Sequence, residues 1–171
     1  MGKVVEFMRL LWAIGHGLQA TSKRMERSLG VTGPQRLAIR IVGRLPGTTP
    51  GDLARILHLD PSTLTGVLKR LEAHGILQRR RDPSDGRRAR LSLTGRGRQR
   101  DVRTTGTVEA AVTRVLRRLP AWKIRVVQGV LAEVAGALDE GKVAGRRERA
   151  ARGSREPGGR RRRGSGGRES S

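Results

Sequence analysis

Eleven Lys and Arg side chains fall between Lys69 and Arg100, opposed only by Glu72, Asp82 and Asp85. Crowded like charges cost free energy and no turn needs them for stability, so such a segment calls for a polyanion outside the chain. In its middle, Asp82-Pro83-Ser84-Asp85-Gly86 is a dense turn signal. Arg87 and Arg88 therefore stand at the tip of a hairpin. A guanidinium presented there can enter a narrow minor groove of DNA, where the negative potential is enhanced. Asp85, two residues before Arg87, can pair with the neighbouring guanidiniums and hold the tip in shape.

A second constellation precedes the hairpin. Leu64, Val67, Leu68 and Leu71 repeat at spacings of 3, 4 and 7, which is one clean helical face. The opposite face carries Ser62, Thr63, Thr65, Gly66, Lys69 and Arg70. These residues are small or hydroxylic near the start and cationic further on. That order suits close approach to base edges, followed by guanine or phosphate contact. A merely solvated helix face would show the same polarity; the basic hairpin beside it favours a nucleic-acid surface.

Other chemistry finds little support. No Ser-His-Asp set, phosphate-cradling glycine loop or carboxylate pair in a plausible cleft can be assembled, so catalysis is not expected. With no Cys, disulfides, thiolate zinc sites and thiol redox sensing are excluded. His16, His58 and His74 are scattered and lack acidic companions at ligand spacing, so no metal and no cofactor is expected.

The elements that must position these residues announce themselves by caps and periodicity. A first helix carries Met8, Leu11, Trp12, Ile14 and Leu18 on an unusually wide apolar face, weakened in the middle by Gly15 and Gly17. A helix apolar on most sides needs cover from several directions, which in a small protein suggests a subunit interface. Thr32-Gly33-Pro34-Gln35 has the spacing of a capping box ahead of Leu37, Ile41 and Val42. Thr49-Pro50-Gly51-Asp52 and Asp60-Pro61-Ser62 start two more helices, the second stopped at Gly75. Residues 76–81 and 89–93 read as the two strands of the hairpin. Helical spacing then returns as one helix through Val102, Val108, Val112, Val115 and Leu119, broken by Pro120. A last helix carries Trp122, Val126, Val127, Val130, Leu131, Val134 and Leu138. The fold class is thus mainly α with a small β-hairpin wing, and two short capped helices followed by a basic hairpin make a winged helix-turn-helix over about residues 32–94.

Composition bounds the rest. The 171 residues suit one domain plus a tail, and 35% hydrophobic content implies that part of the chain never joins a core. There are 37 basic and 15 acidic residues, for a net charge of +22. Arg supplies 32 of the 37 cations, although a GC-rich genome would also raise Arg, so that excess alone decides little. From Gly141 onward the chain is Gly, Arg, Ser and Glu with almost no apolar residue, so residues 141–171 are expected to form a disordered basic tail beyond a folded 1–140. Such a tail raises the alternative of a nonspecific nucleic-acid or nucleoid-associated binder. The apolar run from Val4 to Leu18 is interrupted by Glu6 and Arg9 and too short to span a bilayer, and no signal peptide is legible. A cytoplasmic protein without membrane association is the expectation.

Asp85-Gly86-Arg87-Arg88-Ala89-Arg90-Leu91-Ser92-Leu93-Thr94 fits the pattern D-x-R-x-x-x-L-x-L-T, which resembles the wing signature of the MarR family of bacterial regulators. Thr32 to Gln35, Thr49 to Ala54, and Ser62 to Thr65 with Leu71-Glu72 and Gly75 resemble the family's helix starts and recognition-helix exit. The resemblance covers about residues 3–140. It implies a homodimer, with terminal helices interlocked, that binds double-stranded DNA at a pseudo-palindromic operator, usually as a repressor. It also implies that Arg87 is the minor-groove residue and Asp85 its organiser, and that Gln35 and Thr49 contact the DNA backbone at helix N-termini. Release by a small aromatic or phenolic effector bound near the first helix and wing is implied as well. With Phe7, Trp12 and Trp122 as the only aromatics, there is little material for an aromatic-lined pocket, and the Arg/Gly tail is foreign to the family pattern.

Overall fold

A computed structural model describes residues 2–102 and 104–153. The chain divides into two units, 1–121 and 122–171. In the first unit, α1 (Lys3–Leu29) is followed by α2 (Gly33–Arg44), α3 (Pro50–Leu57) and α4 (Pro61–Ala73). The strands β1 (Leu77–Arg81) and β2 (Ala89–Leu93) then lead into α5 (Gly95–Arg100) and α6 (Val108–Leu116). The second unit is described through α7 (Ala121–Gly153).

The threonine caps of α2 and α3 act as their residue type dictates, whereas Asp60 makes no side-chain capping bond at the start of α4. Thr32 and Gln35 form a reciprocal capping box at α2, and the Thr49 hydroxyl accepts from the Asp52 N–H at α3. Pro at the first turn of α2, α3 and α4 removes a donor that would have no intrahelical partner. Gly75, in the left-handed region at φ 62°, turns the chain out of α4 into the hairpin. The hairpin is antiparallel, with Leu77 opposite Leu93 and Arg81 opposite Ala89.

Ile39, Val42, Leu53, Leu64, Leu68, Leu71, Leu77, Leu91 and Leu93 are buried together, so α2, α3, α4 and the base of the hairpin share one core. Each such side chain contributes roughly 1.5–3 kcal/mol when fully buried. That core fixes which way α4 turns its polar face.

Two expectations need revision. The single helix expected after Thr94, through Val102 to Leu119, is instead two shorter helices, α5 and α6, and Val102 lies in neither. Gly106 sits between them at φ 74°, and Thr107 caps a new start. The helix α1, weakened in the middle by Gly15 and Gly17, is continuous from Lys3 to Leu29. Finally, α7 continues past residue 140 to Gly153, because Ala144, Arg146, Arg147, Glu148, Arg149, Ala150 and Ala151 are good helix formers whatever they bury. The remainder of the basic tail, 154–171, lies outside the described residues.

Candidate nucleic-acid interface

On α4, Leu64, Leu68 and Leu71 enter the core, which leaves Ser62, Thr63, Thr65, Gly66, Lys69 and Arg70 exposed on the other side. The Thr65 hydroxyl donates to the Pro61 carbonyl at 2.7 Å, so its acceptor lone pairs face outward. Gly66 is informative because a Cβ built there meets nothing within 4 Å. Packing within the chain therefore does not require glycine, although in a helix it costs about 1 kcal/mol relative to Ala. The surface at Gly66 is therefore open to close approach from outside the chain.

The wing is braced from within. Asp82, only 6% exposed, accepts from Arg90 Nε at 2.7 Å and from both the N–H and the hydroxyl of Ser84. The Arg90 guanidinium, and after it Ser84, hold the Asp82 carboxyl far below the usual carboxylate range. At the tip, Asp85 Oδ1 accepts from the Arg87 N–H, its carbonyl accepts from the Arg88 N–H, and its Oδ2 pairs with Arg88 Nε at 3.2 Å. Arg88 and Arg90 are thus engaged. Among the described residues, no carboxylate or carbonyl takes the Arg87 guanidinium, which stands exposed at the tip.

Tertiary bonds anchor this hairpin to the helices. Leu91 exchanges backbone hydrogen bonds with Gly47 and Thr48, so the turn after α2 pairs with β2 in the manner of a third strand. Thr94 donates its hydroxyl to the Gly75 carbonyl and accepts from the Gly97 N–H, joining the exit of α4 to the start of α5. Sequence reasoning missed Asp82, Arg90 and the Gly47–Thr48 pairing. Asp82 carried a signal, being a carboxylate one strand-end away from a cation-rich partner.

The two backbone-contact candidates separate. Thr49 is half-buried at the N-terminus of α3, where Asp52 takes its hydroxyl; that hydrogen bond and then the Arg55 guanidinium lower the Asp52 pKa. Gln35 is 4% exposed, and its Oε1 accepts from the Thr32 N–H. Its amide completes the capping box inside the fold, so it does not join the interface with the others.

A cavity of about 1300 Å³ lies in the first unit against α1, α2 and α6. Leu18, Met25, Leu37, Ile41, Leu57 and Leu59 give it an apolar wall. Lys23, Arg40, Arg44, Arg114, Arg117 and Arg118 also line it, with Glu109 the one carboxylate and no aromatic among the described lining residues. An organic anion is the ligand class that this lining fits.

A family model described as the MarR family matches residues 31–89, which span α2, α3, α4, β1 and the hairpin turn up to the first residue of β2. The HTH-type transcriptional repressor Rv2887 of Mycobacterium tuberculosis is 33% identical over 125 residues, covering 73% of this chain and 90% of the relative. The chain belongs to the MarR family. As a MarR-family protein it is a DNA-binding transcription regulator and not an enzyme. Its fold agrees with a solved Staphylococcus aureus MepR–DNA complex at a TM-score of 0.63 and 19% identity, covering 77% of this chain and 97% of that one. The solved complex of Rv2887 with salicylic acid is similar at 33% identity and a TM-score of 0.50, covering 73% and 93%. Among the described residues, no helix of this MarR-family chain is long and apolar enough to cross a membrane.

Proposed function

We propose that this protein is a cytoplasmic, homodimeric repressor that reads a two-fold-symmetric operator and leaves it when a small aromatic carboxylate fills the cavity. The observation that carries the DNA-binding half is the contrast at the wing tip. Arg88 and Arg90 are held by carboxylates while Arg87 is presented bare, beside an α4 face whose Gly66 packs against nothing. Ser62, Thr63, Thr65, Gly66, Lys69 and Arg70 enter the major groove, Arg87 the minor groove, and the start of α3 at Thr49 meets a phosphate. Arg88 lends charge at the wing while keeping Asp85 in place. The basic stretch 141–171 adds affinity for any duplex without choosing a sequence.

The dimer is supported by what single chains leave uncovered. On α1, Val4, Val5, Phe7, Met8, Leu10, Trp12, Ile14 and Leu18 are exposed, and Met25 is the helix's one buried residue. A second copy covers them. The cavity reading is supported by its cationic lining and by the salicylic acid bound in the related Rv2887 structure.

The test is selection of bound duplexes from a random pool, followed by anisotropy titration of the winner. A two-fold-symmetric consensus with half-sites about one helical turn apart is expected. Arg87→Ala should weaken binding by about tenfold or more and flatten the dependence of log affinity on log salt by about two, one for each protomer of the dimer. No consensus, or an Arg87→Ala protein that binds as tightly as the parent, would refute the reading.

A further inference from the structure

One face of α2 presents two arginines, Arg36 and Arg40, to the segment that follows α5. They sit one turn apart yet are held differently. Arg36 is almost wholly buried, its side chain 5% exposed. Its guanidinium is filled by the carbonyls of Arg100 and Val102 and by Glu109 Oε1 at 2.6 Å. Arg40 bonds the Asp101 carbonyl and pairs with Asp101 Oδ1 at 2.7 Å, but both side chains keep 21% exposure, and Arg40 lines the cavity. Asp101 lies flush on the helix: a Cβ added at Gly43, three residues beyond Arg40, would collide with its carboxylate.

Arg36 is thus a fixed clamp and Arg40 an exchangeable one. The geometry points to Arg40 as the residue that links the cavity to the wing: a carboxylate bound in the cavity takes the Arg40 guanidinium from Asp101 and loosens the join between α2 and the end of α5. This rests on the reading of the cavity as the effector site. The exchange is electrostatically even, since one carboxylate replaces another on the same planar fork. Its consequence is not even. Asp101, without a partner and pressed against Gly43, must leave α2, and α5 is bonded through Thr94 to β2 and to the exit of α4. A displacement at residue 101 therefore reaches both DNA-contacting elements along a short, rigid path. The Arg36 clamp keeps the lobe attached meanwhile.

Salicylate is titrated calorimetrically into the full-length protein, and its effect on affinity for the selected duplex is read by anisotropy. The proteins compared are the parent, Asp101→Asn, Arg40→Gln and Arg44→Gln. Asp101→Asn keeps the shape but removes the competing charge, so salicylate should bind about 5–10-fold more tightly while losing most of its effect on DNA affinity, as a severed coupling requires. Arg40→Gln should lose tenfold or more in salicylate affinity together with the response. Arg44→Gln, a lining cation with no bond to Asp101, should bind salicylate less well and respond fully at saturation. Circular dichroism confirms that each variant is folded. Salicylate affinity and response in Asp101→Asn equal to the parent's would overturn the exchange and leave the cavity reading standing. Arg40→Gln and Arg44→Gln behaving alike in both readouts would do the same. No salicylate binding to the parent would sink both.

Discussion

The winged lobe and α1 belong to the same chain but handle their apolar side chains in opposite ways. In the lobe, Ile39, Leu53, Leu68, Leu71 and Leu91 are all within 1% of full burial, and only a few large apolar side chains, Leu37, Leu45 and Ile56 among them, reach the surface beside its charges and hydroxyls. On α1, Trp12 is 73% exposed, and most of its apolar neighbours stand open too. The lobe closes its own core, because three helices and a hairpin supply four surfaces that meet. A single long helix cannot fold onto itself. The lesson is that DNA reading is built within one protomer, whereas the apolar surface of α1 is material for a second. Within the second unit, α7 repeats the α1 pattern, with Trp122, Val126, Val127 and Leu138 exposed.

The strongest way to break this contrast is to charge the open side. Trp12→Asp places a carboxylate in the proposed interface twice by symmetry, at roughly 2 kcal/mol or more per copy, so the dimer should dissociate about 1000-fold more readily. Sedimentation should show monomers whose circular dichroism stays helical. A protein that remains dimeric would remove α1 from the interface.

The converse break goes to the closed side. A Cβ at Gly97 would collide with the Ile76 backbone carbonyl, which cannot swing away as a side chain could. Gly97→Ala should cost about 3 kcal/mol, seen as a lower denaturant midpoint at unchanged slope. Dimerisation through α1 should survive it.

Gly66→Ala sharpens the comparison on the lobe's outer face. Open space around that position means the helix gains up to about 1 kcal/mol, visible as a higher melting temperature. Operator affinity should fall at the same time. A variant gaining on both counts would show that DNA does not approach α4 at Gly66.

The smallest effect concerns acid. The Asp82 pKa is depressed in the folded state, so its contribution is fully present above the unfolded carboxylate value of about 4 and fades as pH falls through the lower folded one. Asp82→Asn should therefore be less stable than the parent at neutral pH. The two unfolding curves should converge as the pH drops below about 4. A constant gap across that range would mean that Arg90 does not rely on the charge.

Most of the lobe was legible residue by residue because its signals are local. Thr32 with Gln35, Thr49 with Asp52 and Gly75 mark helix ends through bonds that span three or four residues. The turn from Asp82 to Gly86 and the alternating Leu91 and Leu93 placed the hairpin to within a residue. The exposed face of α4 followed from the spacing of its leucines alone. Gln35 was misjudged for an instructive reason. The capping spacing was correct, but the same bond that identified it also consumes its amide and turns it inward. The split between α5 and α6 was hidden because Val108, Val112 and Val115 keep a helical interval, and Val102, which does not, was joined to them across Gly106.

By itself the sequence determined the elements of the lobe from α2 to β2, the polar side of α4 and the Arg87 tip, since each depends on neighbours a few residues away. Only the tertiary structure decided which charges are spent and which are free. Arg90 finds Asp82 across the hairpin, Arg36 and Arg40 find residues 100–109 from more than sixty positions away, and β2 finds Gly47 and Thr48. Such pairings depend on how helices and strands pack, and composition counts every guanidinium alike until the fold gives it a partner.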